Sequence, residues 1–291
     1  MLLADAVAGF VLDMRARRLA AGTVSDYTNT LRKWQTYCGA NRDLSDITAD
    51  DLRAFLGSLN EIGKKQLLNH HIGLSAFYTW AVRCGHVAVH PLRAVPRPKP
   101  ERRAIQAFSK DEITRLLSSA AESQLPKRNR AILLLLLDCG LRASELCDLQ
   151  MRHYDAVNGR ILAYGKGDKE RSLPISETTR AALKSYVLAA RKHTAPHDPL
   201  FVSRDGAAMT RGGLLQLLYA LGERADVPDC HPHRFRHTFA IQYLRNGGDV
   251  YSLQMSLGHE SLEMCRRYLA LASADLAAVH RRASPVSAWA L

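Results

Sequence analysis

The chain has 291 residues, 47% hydrophobic and 7% aromatic, with 40 Lys+Arg against 28 Asp+Glu and a formal net charge of +12. Such a length and apolar share support one large or two modest domains and exclude wholesale disorder. No apolar run approaches the ~18 residues of a membrane span, and Asp5 and Asp13 interrupt the first stretch in a way a secretion signal would not. Cys38, Cys84, Cys139, Cys147, Cys230 and Cys265 form no CxxC pair. Without a secretion signal they read as reduced thiols of a cytoplasmic protein that does not enter the membrane. The positive surplus suits a surface that binds a polyanion. A solubility bias gives the same composition, so charge alone names no reaction.

In chain order, the first predicted elements are helical. Tyr27, Leu31, Trp34 and Cys38 recur at three-to-four-residue spacing after Thr23, a candidate N-cap, and a second periodic segment runs over 64–83. Residues 1–95 therefore read as a small helical bundle. Its Arg32, Lys33, Lys64 and Lys65 either meet DNA or face solvent. Residues 90–104, HPLRAVPRPKPERRA, carry four prolines that favour extended backbone, together with five basic residues. They predict a stiff linker, placed at 96–106, whose Arg97, Lys99, Arg102 and Arg103 either lie along phosphates or are a solvated tether.

Beyond it, Ser109 and Glu112 form a capping box opening a helix, and 131–137 is apolar all round, as in a buried helix. Strand-like runs at 160–164 and 171–175 flank Gly165-Lys-Gly-Asp168, which reads as a hairpin. Helical periodicity resumes over roughly 177–192, 210–225, 234–246 and 249–257. The whole predicts a mainly α protein with one small β-sheet, its second domain spanning 107–291. No internal repeat or low-complexity tract is present.

Unusual polar residues gather in that second domain. In GLRASEL, Gly140 can end a helix in a left-handed conformation and leave Arg142 at the start of the next; a purely structural Arg142–Glu145 pair fits equally well. In GKGDKER, Lys166 sits between glycines at a hairpin tip, with the reach of a proton donor or of an ordinary solvent-facing lysine. The segment CHPHRFRH puts His233 and Arg236 on one helical face. His233, His237 and Cys230 could instead ligate zinc, but the helix carries no HExxH glutamate and no second cysteine stands at ligand spacing. His259 follows Gly258 past a helix end, and Tyr268 lies nine residues on, beside Arg266 and Arg267. A tyrosine there is either a packed aromatic or, among cations, a nucleophile.

Taken together these residues resemble the tyrosine site-specific recombinases, the phage-type integrases. The family pattern of Arg, Lys, His-x-x-Arg, His and Tyr is matched in order and interval by Arg142, Lys166, His233, Arg236, His259 and Tyr268. The resemblance covers nearly the whole chain: a helical core-binding domain, a linker and a catalytic domain. Two features depart from it. His231 adjoins the matching Pro-His233, and Cys265 and Arg266 stand where many relatives carry a threonine-rich stretch.

The resemblance implies that Tyr268 attacks the scissile phosphate to give a 3′-phosphotyrosyl link and a free 5′-hydroxyl. Arg142 and Arg236 would clamp the phosphate oxygens, Lys166 would protonate the leaving oxygen, His259 would donate a hydrogen bond to the phosphate, and His233 would assist proton transfer at Tyr268. It implies no metal, ATP or other cofactor. It further implies double-stranded DNA recombination sites as partners, and a tetramer on paired sites formed from a monomer or weak oligomer. Residues 273–280 read as a short helix and 284–291 as an apolar tail, suited either to docking on a neighbouring subunit or to packing on its own domain. A topoisomerase-like nicking and closing enzyme, and a non-catalytic DNA-binding protein of the same fold, are the alternatives. The two-domain layout favours recombination, and no separate arm-binding segment is evident.

Overall fold

The structure, a computed structural model, describes residues 1–99, 106–165, 170–191, 194–259 and 261–272, with 280, 284, 286 and 289 as single positions. The chain divides into two compact units, Met1–Arg103 and Ala104–Leu291.

The first unit consists of α1 (Leu3–Ala16), α2 (Ala21–Cys38), α3 (Ala49–Ser58) and α4 (Lys64–Arg83). Each helix turns an apolar stripe inward, and Phe10, Trp34, Phe55, Phe77 and Trp80 meet in one core. Thr48 opens α3 with a reciprocal capping box to Asp51. The helix expected after Thr23 starts earlier, with Ala20 as its N-cap and no side-chain cap bond; Thr23 lies inside the first turn. The segment just before the expected linker is folded. Pro91–Ala94 is a 3-10 turn, its first amide capped by the His90 ring, and Leu92 and Val95 are buried in the unit's core. A proline at the first position of such a turn loses no hydrogen bond, because that N–H has no partner there. Residues 96–99 form no regular element, with Arg97 and Lys99 exposed; Arg102 and Arg103 fall outside the described residues.

The second unit opens on α5 (Lys110–Ala121), with the expected Ser109–Glu112 capping box, and α6 (Pro126–Cys139). The short α7 (Ala143–Cys147) leads to a three-stranded antiparallel sheet, β1 (Tyr154–Asp155), β2 (Arg160–Tyr164) and β3 (Glu170–Pro174), in the order β1-β2-β3. Tyr164 stands opposite Glu170, so β2 and β3 are joined by residues 165–169. Then come α8 (Glu177–Ala190), α9 (Arg211–Arg224), α10 (Pro232–Arg245), α11 (Val250–Leu257) and α12 (Glu263–Ala272). The apolar run on α6 is buried, with Ile132, Leu133, Leu135 and Leu136 inside a core shared with α5, α8, α9 and the sheet. A smaller cluster, Ala240, Ile241, Leu244, Leu253, Leu257 and Tyr268, joins α10, α11 and α12. The protein is thus mainly helical with one small sheet. Among the described residues, no helix is long and apolar enough to cross a membrane.

Candidate active site

Helix ends build the site. The last four carbonyls of any α-helix have no partner within it and carry the negative end of its dipole. Helix α6 ends at Gly140 and α11 at Gly258, both left-handed, with φ of +58° and +60°. Three arginines converge on these ends. Arg236, on α10, donates from Nη1 to the Gly140 carbonyl at 2.8 Å and from Nη2 to that of Leu257 at 2.7 Å. Arg171, on β3, donates from Nε to the Ser256 carbonyl at 3.0 Å. Arg142, the N-cap of α7, approaches the Gly258 carbonyl at 3.4 Å. The terminus of α11 is therefore wrapped by guanidinium groups from three other elements.

Like charges this close need a counter-charge, and Glu145 supplies it. Its Oε1 accepts from Arg142 Nη1 at 2.7 Å and Arg171 Nη1 at 3.0 Å; its Oε2 accepts from the Arg142 amide at 2.8 Å and Arg171 Nη2 at 2.7 Å. The side chain is 3% exposed. Burial pushes this carboxyl up, but the bonds from Arg171 and from the Arg142 amide hold it below the usual carboxylate range. Arg236 faces the opposite situation. It is 4% exposed, and burial first, then the neighbouring Arg142 charge, lower its pKa to about 10. It remains a cation at neutral pH, in a place where an anion would relieve both effects.

His259 follows directly. Its amide closes the α11 terminus on the Gln254 carbonyl at 3.1 Å, and its Nδ1 lies 3.1 Å from the Cys265 sulfur. Its ring stacks on that of Tyr268, with centroids 6.4 Å apart and planes at 11°. Tyr268, on α12, is 1% exposed, and its hydroxyl lies 2.8 Å from His237 Nδ1. His233 is exposed in the first turn of α10 and stacks at 6.4 Å on His237, one turn later. His231 is the N-cap of that helix, its Nδ1 accepting from the Arg234 amide at 3.2 Å. Arg234 points away, donating to Glu112 at 2.7 Å and lying over the Phe108 ring.

Of the residues expected from sequence, Arg142, Arg236, His259 and Tyr268 meet around the α11 terminus. His233 reaches the phenol's neighbourhood through His237. Lys166 lies outside the described residues, as do the stretch 273–279 and most of the tail. The zinc alternative finds no support: Cys230 is buried in the core, and among the described residues no three His, Cys, Asp or Glu side chains are grouped to hold a metal ion. Arg171 and His237 enter the site without having been singled out for it. Their partners lie 26 and 31 residues away in sequence, so local spacing carried no signal.

This geometry belongs to a known class. Residues 106–275 match the phage integrase family, and residues 7–85 match the phage integrase N-terminal SAM-like domain. The chain belongs to the phage integrase family, the tyrosine recombinases. It is 30% identical to the tyrosine recombinase XerD of Oceanobacillus iheyensis over 98% of this chain and 99% of that one. It is 31% identical to the tyrosine recombinase XerC of Pseudomonas fluorescens over 92% of each. Among solved structures it is similar to the XerA recombinase, at 26% identity and a TM-score of 0.54 over 97% of this chain and 99% of that one. The fold of the Tn1549 transposon integrase, solved with a circular intermediate DNA, matches over the same shares at a TM-score of 0.81 and 19% identity.

Proposed function

We propose that this tyrosine recombinase cleaves double-stranded DNA through Tyr268, with Arg142, Lys166, His233, Arg236 and His259 as its catalytic partners. The phenolic oxygen attacks the scissile phosphorus, the bond to the 5′-oxygen breaks, and the 3′-phosphate is held on the tyrosine. Lys166 gives its proton to the leaving 5′-oxygen, and His233 assists removal of the phenolic proton. The 5′-hydroxyl of the partner strand then reverses the step and releases the enzyme. Because the covalent link keeps the energy of the phosphodiester, resealing needs no ATP.

The convergence of Arg142 and Arg236 beside Tyr268 and His259 carries this reading. A phosphate under attack gathers charge on its non-bridging oxygens, and two planar, permanently charged forks match it. The α11 carbonyls and Glu145 hold those forks in place before DNA arrives, so little reorganisation is left for the reaction itself. The phenol, buried against His237, exchanges that contact for the phosphate on attack.

In this reading the helical first unit and the basic 96–106 segment, with Arg97, Lys99, Arg102 and Arg103, lie along the DNA backbone. Four copies act on two paired sites, and the enzyme works in the cytoplasm, where the chromosome is.

The test is covalent trapping on a nicked recombination site, whose cleaved strand diffuses away. The wild-type chain gives a protein–DNA adduct. Tyr268→Phe gives none, yet shifts the same DNA in a gel. An adduct retained in Tyr268→Phe would discard the assignment.

A further inference from the structure

The geometry points to Arg171 as a positioning residue for strand cleavage: by sharing Glu145 with Arg142 and tying down the end of α11, it holds Arg142 in register. The inference rests on the catalytic reading above. Arg171 is a nearly buried cation, its side chain 11% exposed, with no part in the proposed chemistry. One guanidinium makes three bonds, at 3.0 and 2.7 Å to the two oxygens of Glu145 and at 3.0 Å to the Ser256 carbonyl. It thereby joins α7, which carries Arg142, to the turn carrying His259.

The surroundings are built around it. A Cβ on Gly258 would come within 2.7 Å of Arg171 Nη1, so the residue before His259 is a glycine both for its left-handed backbone and for the room this guanidinium takes. With Arg171 absent, Arg142 would be the only guanidinium left on a buried Glu145 carboxylate. Arg142 Nη1 already contacts Oε1 at 2.7 Å, and an under-compensated buried carboxylate is costly. The freed acceptors would therefore recruit the second Arg142 nitrogen, now 3.4 Å from the Gly258 carbonyl, and turn the fork away from a phosphate. Lysine cannot substitute, because one ammonium cannot span both carboxylate oxygens and a carbonyl across the gap.

The test is single-turnover adduct formation by Arg171→Lys and Arg171→Gln on two nicked sites. One carries the normal scissile phosphodiester. The other carries a methylphosphonate, which lacks the charge that Arg142 clamps. On the phosphodiester both variants should be slowed by up to about 100-fold, the size a misplacement of about 1 Å can produce. On the methylphosphonate they should approach the wild-type rate, with DNA affinity nearly unchanged; the thermal midpoint falls because a buried ion pair is broken, so both rates are read well below it. Equal slowing on both substrates would mean general structural damage and overturn the proposal, as would wild-type rates on the phosphodiester. If the wild-type chain itself forms no adduct, the catalytic reading fails and the proposal falls with it.

Discussion

Glu145 and Asp51 show the same device in the two units: a carboxylate filled with donors from an arginine fork and a helix-start amide. Asp51 accepts from Arg42 at 2.9 and 2.8 Å and from the Thr48 amide at 2.8 Å. The Arg42 bonds, then that of the Thr48 amide, lower its pKa from 3.8 to about 2. A folded pKa below the unfolded one means the contribution is complete above 3.8 and is lost as pH falls through about 2. Acid unfolding of the first unit, followed by the fluorescence of its buried Trp34 and Trp80, should therefore steepen in that window. Asp51→Asn should flatten it; an identical profile in the variant would show that Asp51 is not the group responsible. Which site residues could be read in advance follows from distance along the chain. Gly140, Arg142 and Glu145 lie close together in sequence, so helix-end rules locate them. Arg171 and His237 owe their roles to partners brought in by folding, and Cys265, seen only as a departure from the family pattern, touches His259 Nδ1 at 3.1 Å.

At the level of elements, the site is a property of terminations rather than of faces. Gly140 and Gly258 stop α6 and α11 in a conformation that costs other residues roughly 1–2 kcal/mol. At Gly140 a Cβ would also meet Phe239 Cδ1 at 2.5 Å. Gly140→Ala should destabilise the second unit by at least about 2 kcal/mol in a denaturant titration, strain and overpacking adding together. Gly57, inside α3 with open space for 4 Å around the place a methyl would take, is the opposite case. Gly57→Ala should stabilise the first unit by roughly 0.5–1 kcal/mol. If both substitutions moved stability the same way, backbone conformation would not be what sets these positions. Capping chemistry made the start of α5 legible, at Ser109; Thr210 before α9 and Asp249 before α11 cap their helices too, although periodicity alone marked those segments. Thr23 misled because a threonine can sit within a first turn as well as before it. β1, two residues long, is too short for any periodicity to reveal.

For the molecule as a whole, a net charge of +12 makes salt the natural probe of DNA binding. Each phosphate that a side chain no longer neutralises takes about 0.9 from the slope of log affinity against log salt concentration. Replacing Arg97, Lys99, Arg102 and Arg103 together by alanine should lower that slope by about 3–4 while leaving sequence preference intact. An unchanged slope would place these side chains off the DNA. The proline-rich segment suggests two units, and Leu92 and Val95, within the expected 1–95, lie in the first core because a 3-10 turn buries them. The family was readable because six polar residues keep order and spacing across 127 positions of otherwise ordinary helical sequence, from Arg142 to Tyr268. The most direct test of that chemistry is to digest the trapped protein–DNA complex and find, by mass spectrometry, which peptide carries the nucleotide. The nucleotide should sit on Tyr268 through its 3′-phosphate; attachment to any other side chain, or through a 5′-phosphate, would contradict the mechanism proposed for this enzyme.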